Sequence, residues 1–541
     1  MRLTLLFIIT LHSGFLFAQS KSPKLVVGIV VDQMRQDYLQ RFDYHFSEGG
    51  FKRLINDGFT ARNNHYNYIP TYTAPGHASI YTGTTPRYHG IIANDWYSKI
   101  LDRSVYCVGD SLASAVGGSA MNGNISPRNL QVNTITDELK LSTNFRSKVV
   151  GISIKDRGAV LPAGHTPDGA YWYDSRTGEF MTSDFYSKVL PKWASDFNKK
   201  KLSNQYSDRV WKTLLPIEEY VQSTADDTPY ERGFKGKDTP TFPYNLAELR
   251  KQNGPYGLIR STPFGNTLVL EMAKAAMDGE KLGQDDITDF LAISFSSTDY
   301  VGHNFGPNSI ELEDTYLRLD RDIANLLNYL DQKVGAGEYL VFLTADHGVV
   351  ANPQFLVDHH LPGGFLNNDQ AKEPILELVD QLGGDEYILD VSNDQIFLDR
   401  DLIASKGENL ESIQRQFAEA AMKVEEIAET FTATDLSRLD YTDPLRISIQ
   451  NGFNRKLSGD VLVLKKAGYL SGDYGNAGTS HGSGYTYDTH VPLLFYGAGV
   501  KNGSTVEKTF ITDIAPTLAM LLNISMPNGA VTGQPIEELF E

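Results

Sequence analysis

The sequence predicts an α/β protein with a doubly wound, mostly parallel sheet flanked by helices. Two observations predict it. Short apolar runs recur along the chain without in/out alternation, as strands buried on both faces of a parallel sheet require. Between them, apolar residues recur every three to four positions, the period of a helix.

In chain order, the opening "MRLTLLFIITLHSGFLFA" places Arg2 ahead of an apolar stretch, and Ala18 ahead of polar "QSKSP". That pattern predicts a secretory signal peptide over 1–18, too short and polar-flanked for a membrane span. The mature chain, 19–541, is therefore expected to be secreted or periplasmic. Strand-like runs follow at 24–31, 148–154, 289–295, 338–345, 460–466 and 490–497. Helical patterns lie around 48–58 and from 265, 312 and 512. Two stretches, 160–260 and 355–455, fit the alternation poorly. They read as insertions within one domain that rise over the C-terminal edge of the sheet, where α/β proteins bind ligands. A separate second domain is the alternative.

Of the 541 residues, 41% are hydrophobic and 21% charged, which is a globular balance. The formal net charge of −18 argues against a surface built for nucleic acid or anionic lipid. It leaves an anionic substrate open, because a metal or a local basic pocket can invert the field in one cleft. No run after the leader is long and apolar enough to span a bilayer. Cys107 stands alone, so no internal disulfide can form and the core must hold the chain together.

The chemistry collects at strand ends. The first run ends on Asp32, the 289–295 run delivers Asp299 and His303, and "TADHGVV" delivers Asp346 and His347. Downstream, "GTSHGSGYTYDTHVPLLFYGAG" offers His481 and His490. Singly these are ordinary, since a strand-end Asp is usually a cap and a loop His usually structural. Three carboxylates and three imidazoles at one edge would be costly to bury uncompensated. Divalent ions would compensate them, and mixed nitrogen and oxygen ligands suit zinc. In "NYIPTYTAPGHASIYTG", Thr73 precedes Pro75 and so sits near a helix N-terminus. It reads either as a helix cap or as a hydroxyl nucleophile favoured by metal and helix dipole, and the two are compatible.

Together, Asp32, "TAPGH", "STDYVGH", "TADHG" and "SHGSGYTYDTHVPLLFYG" resemble the alkaline phosphatase superfamily, in the right order over nearly the whole mature chain. The tail "TFITDIAPTLAMLLNISMPNGAVTGQPI" is similar to the closing segment of its phosphatase and sulfatase members. The resemblance implies that 19–541 is an alkaline phosphatase-like catalytic domain with two zinc ions per chain. One would be held by Asp32, Thr73, Asp346 and His347, the other by Asp299, His303 and His481. His481 matches the family's ligand better than His490, because it is followed by "GSG" and lies upstream of the last strand.

The remaining question is which ester. A phosphate monoester is a dianion whose oxygens two metals only partly engage, so further cations favour it. "GISIKDRGAVLPAGH" supplies Lys155 and Arg157, predicted two apart on extended backbone and so pointing to one side. Arg offers phosphate a bidentate fork and Lys a compact charge; Asp156 receives no role. "KDRGAVLPAGH" resembles the PafA-like branch of bacterial alkaline phosphatases, where this Lys and Arg bind phosphate, and "GIIANDW" supplies Asn94 at that branch's phosphate-binding Asn. The nucleophile is Thr rather than Ser and no third, magnesium ligand set is evident, with Lys155 taking that ion's electrostatic part. The reading is a broad-specificity, monomeric di-zinc phosphomonoesterase that acts on small-molecule phosphate esters through a phosphothreonine. A phosphodiesterase of the same superfamily, or an exported protein that binds metal or phosphate without turnover, are the alternatives.

Overall fold

The computed structural model describes residues 22–384, 386–472 and 477–540. The leader expected at 1–18 lies outside the described residues. Among them, no helix is long and apolar enough to cross a membrane.

A ten-stranded sheet forms the centre. In chain order its strands are β1 (Leu25–Val31), β2 (Phe59–His65), β3 (Ala115–Val116), β4 (Val149–Ser153) and β5 (Gly169–Asp174). There follow β6 (Glu179–Ser183), β7 (Asp289–Phe295), β8 (Tyr339–Thr344), β9 (Leu493–Gly497) and β10 (Gly503–Phe510). Their spatial order is β10-β2-β9-β8-β1-β7-β4-β5-β6-β3. The five central strands, β8-β1-β7-β4-β5, are all parallel. β1, "LVVGIVV", is buried throughout, as a β-branched run between two neighbours should be. Its one glycine is a packing requirement, since a Cβ on Gly28 would lie 2.4 Å from Tyr81 Oη and 2.7 Å from the Phe342 ring.

Helices flank the sheet in two groups. α1 (Thr73–Thr82) packs on α2 (Asp156–Ala163) and on the C-terminal α6 (Ile514–Leu522), while α3 (Phe264–Glu280) packs on α5 (Ile310–Leu330), which in turn touches α4 (Ser297–Phe305).

Three expectations need correction. The chain over 160–260 is not wholly an insertion, because β5 and β6 belong to the main sheet. Their sequence, "GAYWYDSRTGEFMTS", is aromatic and polar because they approach the sheet's outer end, where one turn joins an antiparallel pair. "DVLVLKK" is a strand but not of the parallel sheet. Val461–Lys465 joins Ile388–Ser392, Gln395–Leu398 and Ile427–Thr432 in a separate antiparallel sheet with its own core around Tyr387 and Phe417. β9 is antiparallel to β8, and this decides where that second sheet sits. Thr344 ends β8 level with Leu493, which begins β9. The chain between them therefore leaves and re-enters the core at one edge, the C-terminal edge of the parallel strands.

Candidate active site

Parallel strands deliver their last residues to a common edge. Val31 of β1 is level with Phe295 of β7, Val30 with Thr344 of β8, and Ser294 of β7 with Ser153 of β4. The next few residues of each chain segment carry the site. Asp32 follows β1 directly, Asp299 lies in the first turn of α4 just past β7, and Asp346 and His347 follow β8. Four apart on α4, Asp299 and His303 share a helix face. His481 reaches the same place on the chain returning towards β9.

The three histidines are held alike. His303 Nδ1 bonds the Thr479 carbonyl at 2.8 Å, His347 Nδ1 that of Gly348 at 2.9 Å, and His481 Nδ1 that of Thr71 at 2.7 Å. A carbonyl only accepts, so each Nδ1 donates, and in the neutral ring Nε2 then carries the lone pair. Against the effect of burial, Asp299 raises His303 above its ordinary value, so without a metal its Nε2 can instead donate to that carboxylate. Every Nε2 faces a carboxylate. His303 Nε2 is 3.1 Å from Asp299 Oδ1 and His481 Nε2 is 3.7 Å from the same oxygen. His347 Nε2 lies 3.5 Å from Asp32 Oδ1 and 3.6 Å from Asp346 Oδ2. Lone pairs opposed this closely in a buried site call for a cation between them.

The electrostatics agree. The His347 and His481 rings stack at 3.4 Å and 12°, an arrangement suited to uncharged imidazoles. Burial lowers His347 to about 3, and burial with the neighbouring histidines holds His481 well below its ordinary value. Burial and the charge of Asp32 push Asp346 well above the usual carboxylate range. Asp32 Oδ1, Asp346 Oδ2 and His347 Nε2 are buried with no hydrogen-bond partner. Asp32 Oδ2 has the Lys155 ammonium 2.6 Å away but without hydrogen-bond alignment. These orphaned donors fit zinc. Asp299, His303 and His481 lie within reach of one ion, and Asp32, Asp299 and His347 within reach of another.

Thr73 is the first residue of α1, and the cap position belongs to Tyr72. Its hydroxyl is not spent on capping and lies 3.3 Å from Lys155 Nζ. Pro75 sits in the first turn, where its missing N–H costs nothing. Gly76 lets that turn lie directly on the end of β8, because a Cβ there would come within 2.4 Å of the Asp346 carbonyl. Gly76→Ala is therefore expected to lower stability by ~1–3 kcal/mol and to loosen metal binding by shifting Asp346. Denaturant unfolding and metal content check both; a change in neither would mean that α1 moves aside freely.

Lys155 stands on extended backbone as expected, but Arg157 does not, so the two do not share one extended run. β4 ends at Ser153, Lys155 is the cap of α2 and Arg157 is already in its first turn. Both still face the site from this helix start. Lys155 Nζ is 2.6 Å from Asp32 Oδ2 and 2.6 Å from Asp299 Oδ2. Burial opposes its charge, but Asp299 and Asp32 outweigh it and keep it cationic. Arg157 Nη1 donates to Tyr106 Oη at 3.2 Å, and Tyr106 Oη donates to Asp156 Oδ1 at 2.5 Å. Asn94 Oδ1 accepts from the Ala74 N–H at 3.0 Å, which fixes it beside Thr73 and leaves its NH₂ to donate to a ligand. His490 takes another course: its Nε2 donates to the Arg62 carbonyl at 3.0 Å and its ring stacks on His65.

Residues 26–488 match the model of a family described as type I phosphodiesterase / nucleotide pyrophosphatase. The chain belongs to this family. Within it, the chain is similar to the alkaline phosphatase PafA of Elizabethkingia meningoseptica, with 49% identity over 533 residues, 97% of each chain. It is also similar to the alkaline phosphatase PhoV of Synechococcus elongatus, with 47% identity over 523 residues, 96% of this chain and 93% of that one. The crystal structure of wild-type PafA superposes with a TM-score of 0.92 over 96% of this chain and 99% of that one. The chain is thus a PafA-type alkaline phosphatase, a phosphoric monoester hydrolase, on a large mixed sheet flanked by helices.

Sequence reasoning missed the residues that brace this family member's site. Gln33, next to Asp32, donates its backbone N–H to Asp346 Oδ1 at 3.1 Å and its Nε2 to Asp299 Oδ1 at 2.7 Å. It does so with φ at 66°, a left-handed backbone that a non-glycine residue rarely adopts and that no sequence pattern announces. Tyr106 and Asp156 hold Arg157, and the only signal was an acid between two basic residues. His77 of "TAPGH" is buried and neutral, bonded to the Thr73 carbonyl at 2.8 Å and Ser294 Oγ at 2.9 Å, so it braces the start of α1.

Proposed function

We propose that the chain is an exported di-zinc alkaline phosphatase of broad specificity that works through a covalent phosphothreonine at Thr73. The observation that carries this reading is the set of three histidines whose Nε2 atoms aim at buried carboxylates around the Thr73 hydroxyl. Asp32, Thr73, Asp346 and His347 would hold one zinc, and Asp299, His303 and His481 the other. Zinc, when bound, supplies the Lewis-acid charge that eases ionisation of a hydroxyl and departure of an ester oxygen.

The protein's own groups do the rest. The Thr73 oxygen attacks phosphorus, the ester oxygen leaves, and water then opens the phosphothreonine to phosphate and free threonine. Lys155, close to that oxygen, favours its anionic form. Asn94 and Arg157 donate to the nonbridging oxygens, whose charge Lys155 also meets. A solved PafA variant in which a threonine, an asparagine, a lysine and an arginine are replaced together supports the choice, because this chain has those four types in the same order at Thr73, Asn94, Lys155 and Arg157. We further read 1–18 as a leader removed on export, the segments over the C-terminal edge as a cap, and the enzyme as a monomer.

The family's description favours one second reading, a phosphodiesterase. Buried Lys155 and half-buried Arg157 argue against it, since a diester lacks the second charge they would meet. A binding protein without turnover would have no use for the uncapped Thr73 hydroxyl. Metal removal is the test. Chelation should abolish release of nitrophenol from nitrophenyl phosphate, and zinc alone should restore it as two ions per chain bind. Full activity in the stripped protein, or saturation at one ion, would overturn the di-zinc reading.

A further inference from the structure

The run "SHGSGYTYDTH" supplies the metal site with His481, and its one acid, Asp488, takes no part in the mechanism. Asp488 is nonetheless buried, at 1% exposure, in a short helix, Thr486–Thr489. Its Oδ2 accepts three hydrogen bonds, all from the two residues that follow His481. Gly482 N–H donates at 3.1 Å, Ser483 N–H at 2.8 Å and Ser483 Oγ at 2.6 Å. The other oxygen, Oδ1, is buried with no hydrogen-bond partner, so the side chain serves this turn alone.

The turn needs that support. From 477 to 485 the chain forms neither helix nor strand, so no regular ladder fixes His481. Gly482 stands at φ 127°, a backbone that favours glycine. The N–H groups of the turn go to Asp488, and its carbonyls go to Thr71, two residues before the nucleophile. Thr71 N–H donates to the Gly482 carbonyl at 3.4 Å and Thr71 Oγ1 to that of Ser483 at 2.9 Å, while the Thr71 carbonyl holds His481 Nδ1.

The main chain beside Asp488 holds the other stacked histidine. Gly348 N–H donates to the Asp488 carbonyl at 2.7 Å and Val349 N–H to that of Tyr487 at 2.9 Å, just after His347. A substitution at 488 removes the side-chain bonds to the His481 turn and keeps these backbone bonds. We propose that Asp488 is a positioning residue for His481, and that its carboxylate governs zinc affinity at the site of Asp299, His303 and His481 while the site of Asp32, Asp346 and His347 is spared. The inference rests on the di-zinc reading. Groups that hold a metal ligand in place from behind typically change metal affinity by about 10–100-fold when removed.

The test titrates metal-free protein with zinc alone and reads bound zinc per chain, Tm and turnover. The native chain should bind two ions. Asp488→Ala should bind one of them as the native chain does and the other roughly 10–100-fold more weakly. His481→Ala, which removes a ligand of the same site, should likewise spare one ion. Excess zinc should restore much of the turnover of Asp488→Ala, because the fault lies in holding the ion. Asp488→Asn keeps an acceptor for the Gly482 and Ser483 N–H groups and should bind both ions nearly as the native chain does. If Asp488→Ala fails to fold, Ser483→Ala carries the test; it removes one of the three donors and should weaken one ion by less, and no shift there overturns the inference. A native chain that binds two ions and an Asp488→Ala that binds both as tightly overturn this inference alone. So does equal weakening of both ions, or a loss that neither zinc nor asparagine restores, either of which would mark Asp488 as support for the fold only. A native chain that binds fewer than two ions overturns the di-zinc reading, and this inference with it.

Discussion

Thr73→Ala is expected to remove turnover by roughly 10³-fold or more while the fold and the zinc content stay near those of the native enzyme. The nucleophilic oxygen forms the bond to phosphorus, so its loss removes the covalent route and leaves only water attacking within the site. Zinc should remain because Asp32, Asp346 and His347 still serve one ion and Asp299, His303 and His481 the other. The methyl group that stays keeps the start of α1 packed in its buried place. Thr73→Ser restores the oxygen and should recover much of the rate. Rapid mixing with an excess of substrate and quenching in acid should trap phosphate on Thr73 in the native and serine enzymes, and none in the alanine variant. Turnover by Thr73→Ala at the native rate, or native enzyme that never carries phosphate on Thr73, would dismiss the covalent mechanism.

The carboxylates that converge on the candidate metal site were legible in the sequence for a geometric reason. Asp32, Asp299 and Asp346 each follow an unalternating apolar run, and parallel register sends all such run ends to one edge. His481 needed the resemblance, because only the antiparallel entry of β9 brings its loop back there. The edges of the fold were less readable. β5 and β6 carry too many polar and aromatic residues to look like core, and Val461–Lys465 looks like core while serving another sheet. Local backbone was harder still. The run "KVVGISI" predicts a strand with Lys155 and Arg157 extended at its end, yet β4 stops at Ser153 and α2 begins at Asp156, so Arg157 is helical. The left-handed turn at Gln33 and the reach of Tyr106 to Asp156 and Arg157, fifty residues on, are properties of the assembled fold.

Lys155→Ala combined with Arg157→Ala should slow monoester hydrolysis at least a hundredfold and slow diester hydrolysis far less. The argument is one of charge. A monoester presents its nonbridging oxygens as a dianion, whereas a diester carries a carbon group on one of them and has lost that charge. Lys155 is buried and held cationic by Asp299 and Asp32, and Arg157 is steadied by Tyr106. A charge-assisted hydrogen bond contributes roughly 1.5–3 kcal/mol, which is about ten- to a hundredfold in rate when it strengthens in the transition state. Two such contacts give the expected factor in kcat/KM. The variant will also lose the ammonium between Asp32 and Asp299, and those carboxylates should then bind zinc no less tightly, because a competing cation has gone. Zinc content near two per chain with a selective loss on monoesters is therefore the signature. Equal losses on mono- and diesters at full zinc would show that Lys155 and Arg157 only support the fold. The preference for monoesters would then have to come from the chain that covers the C-terminal edge.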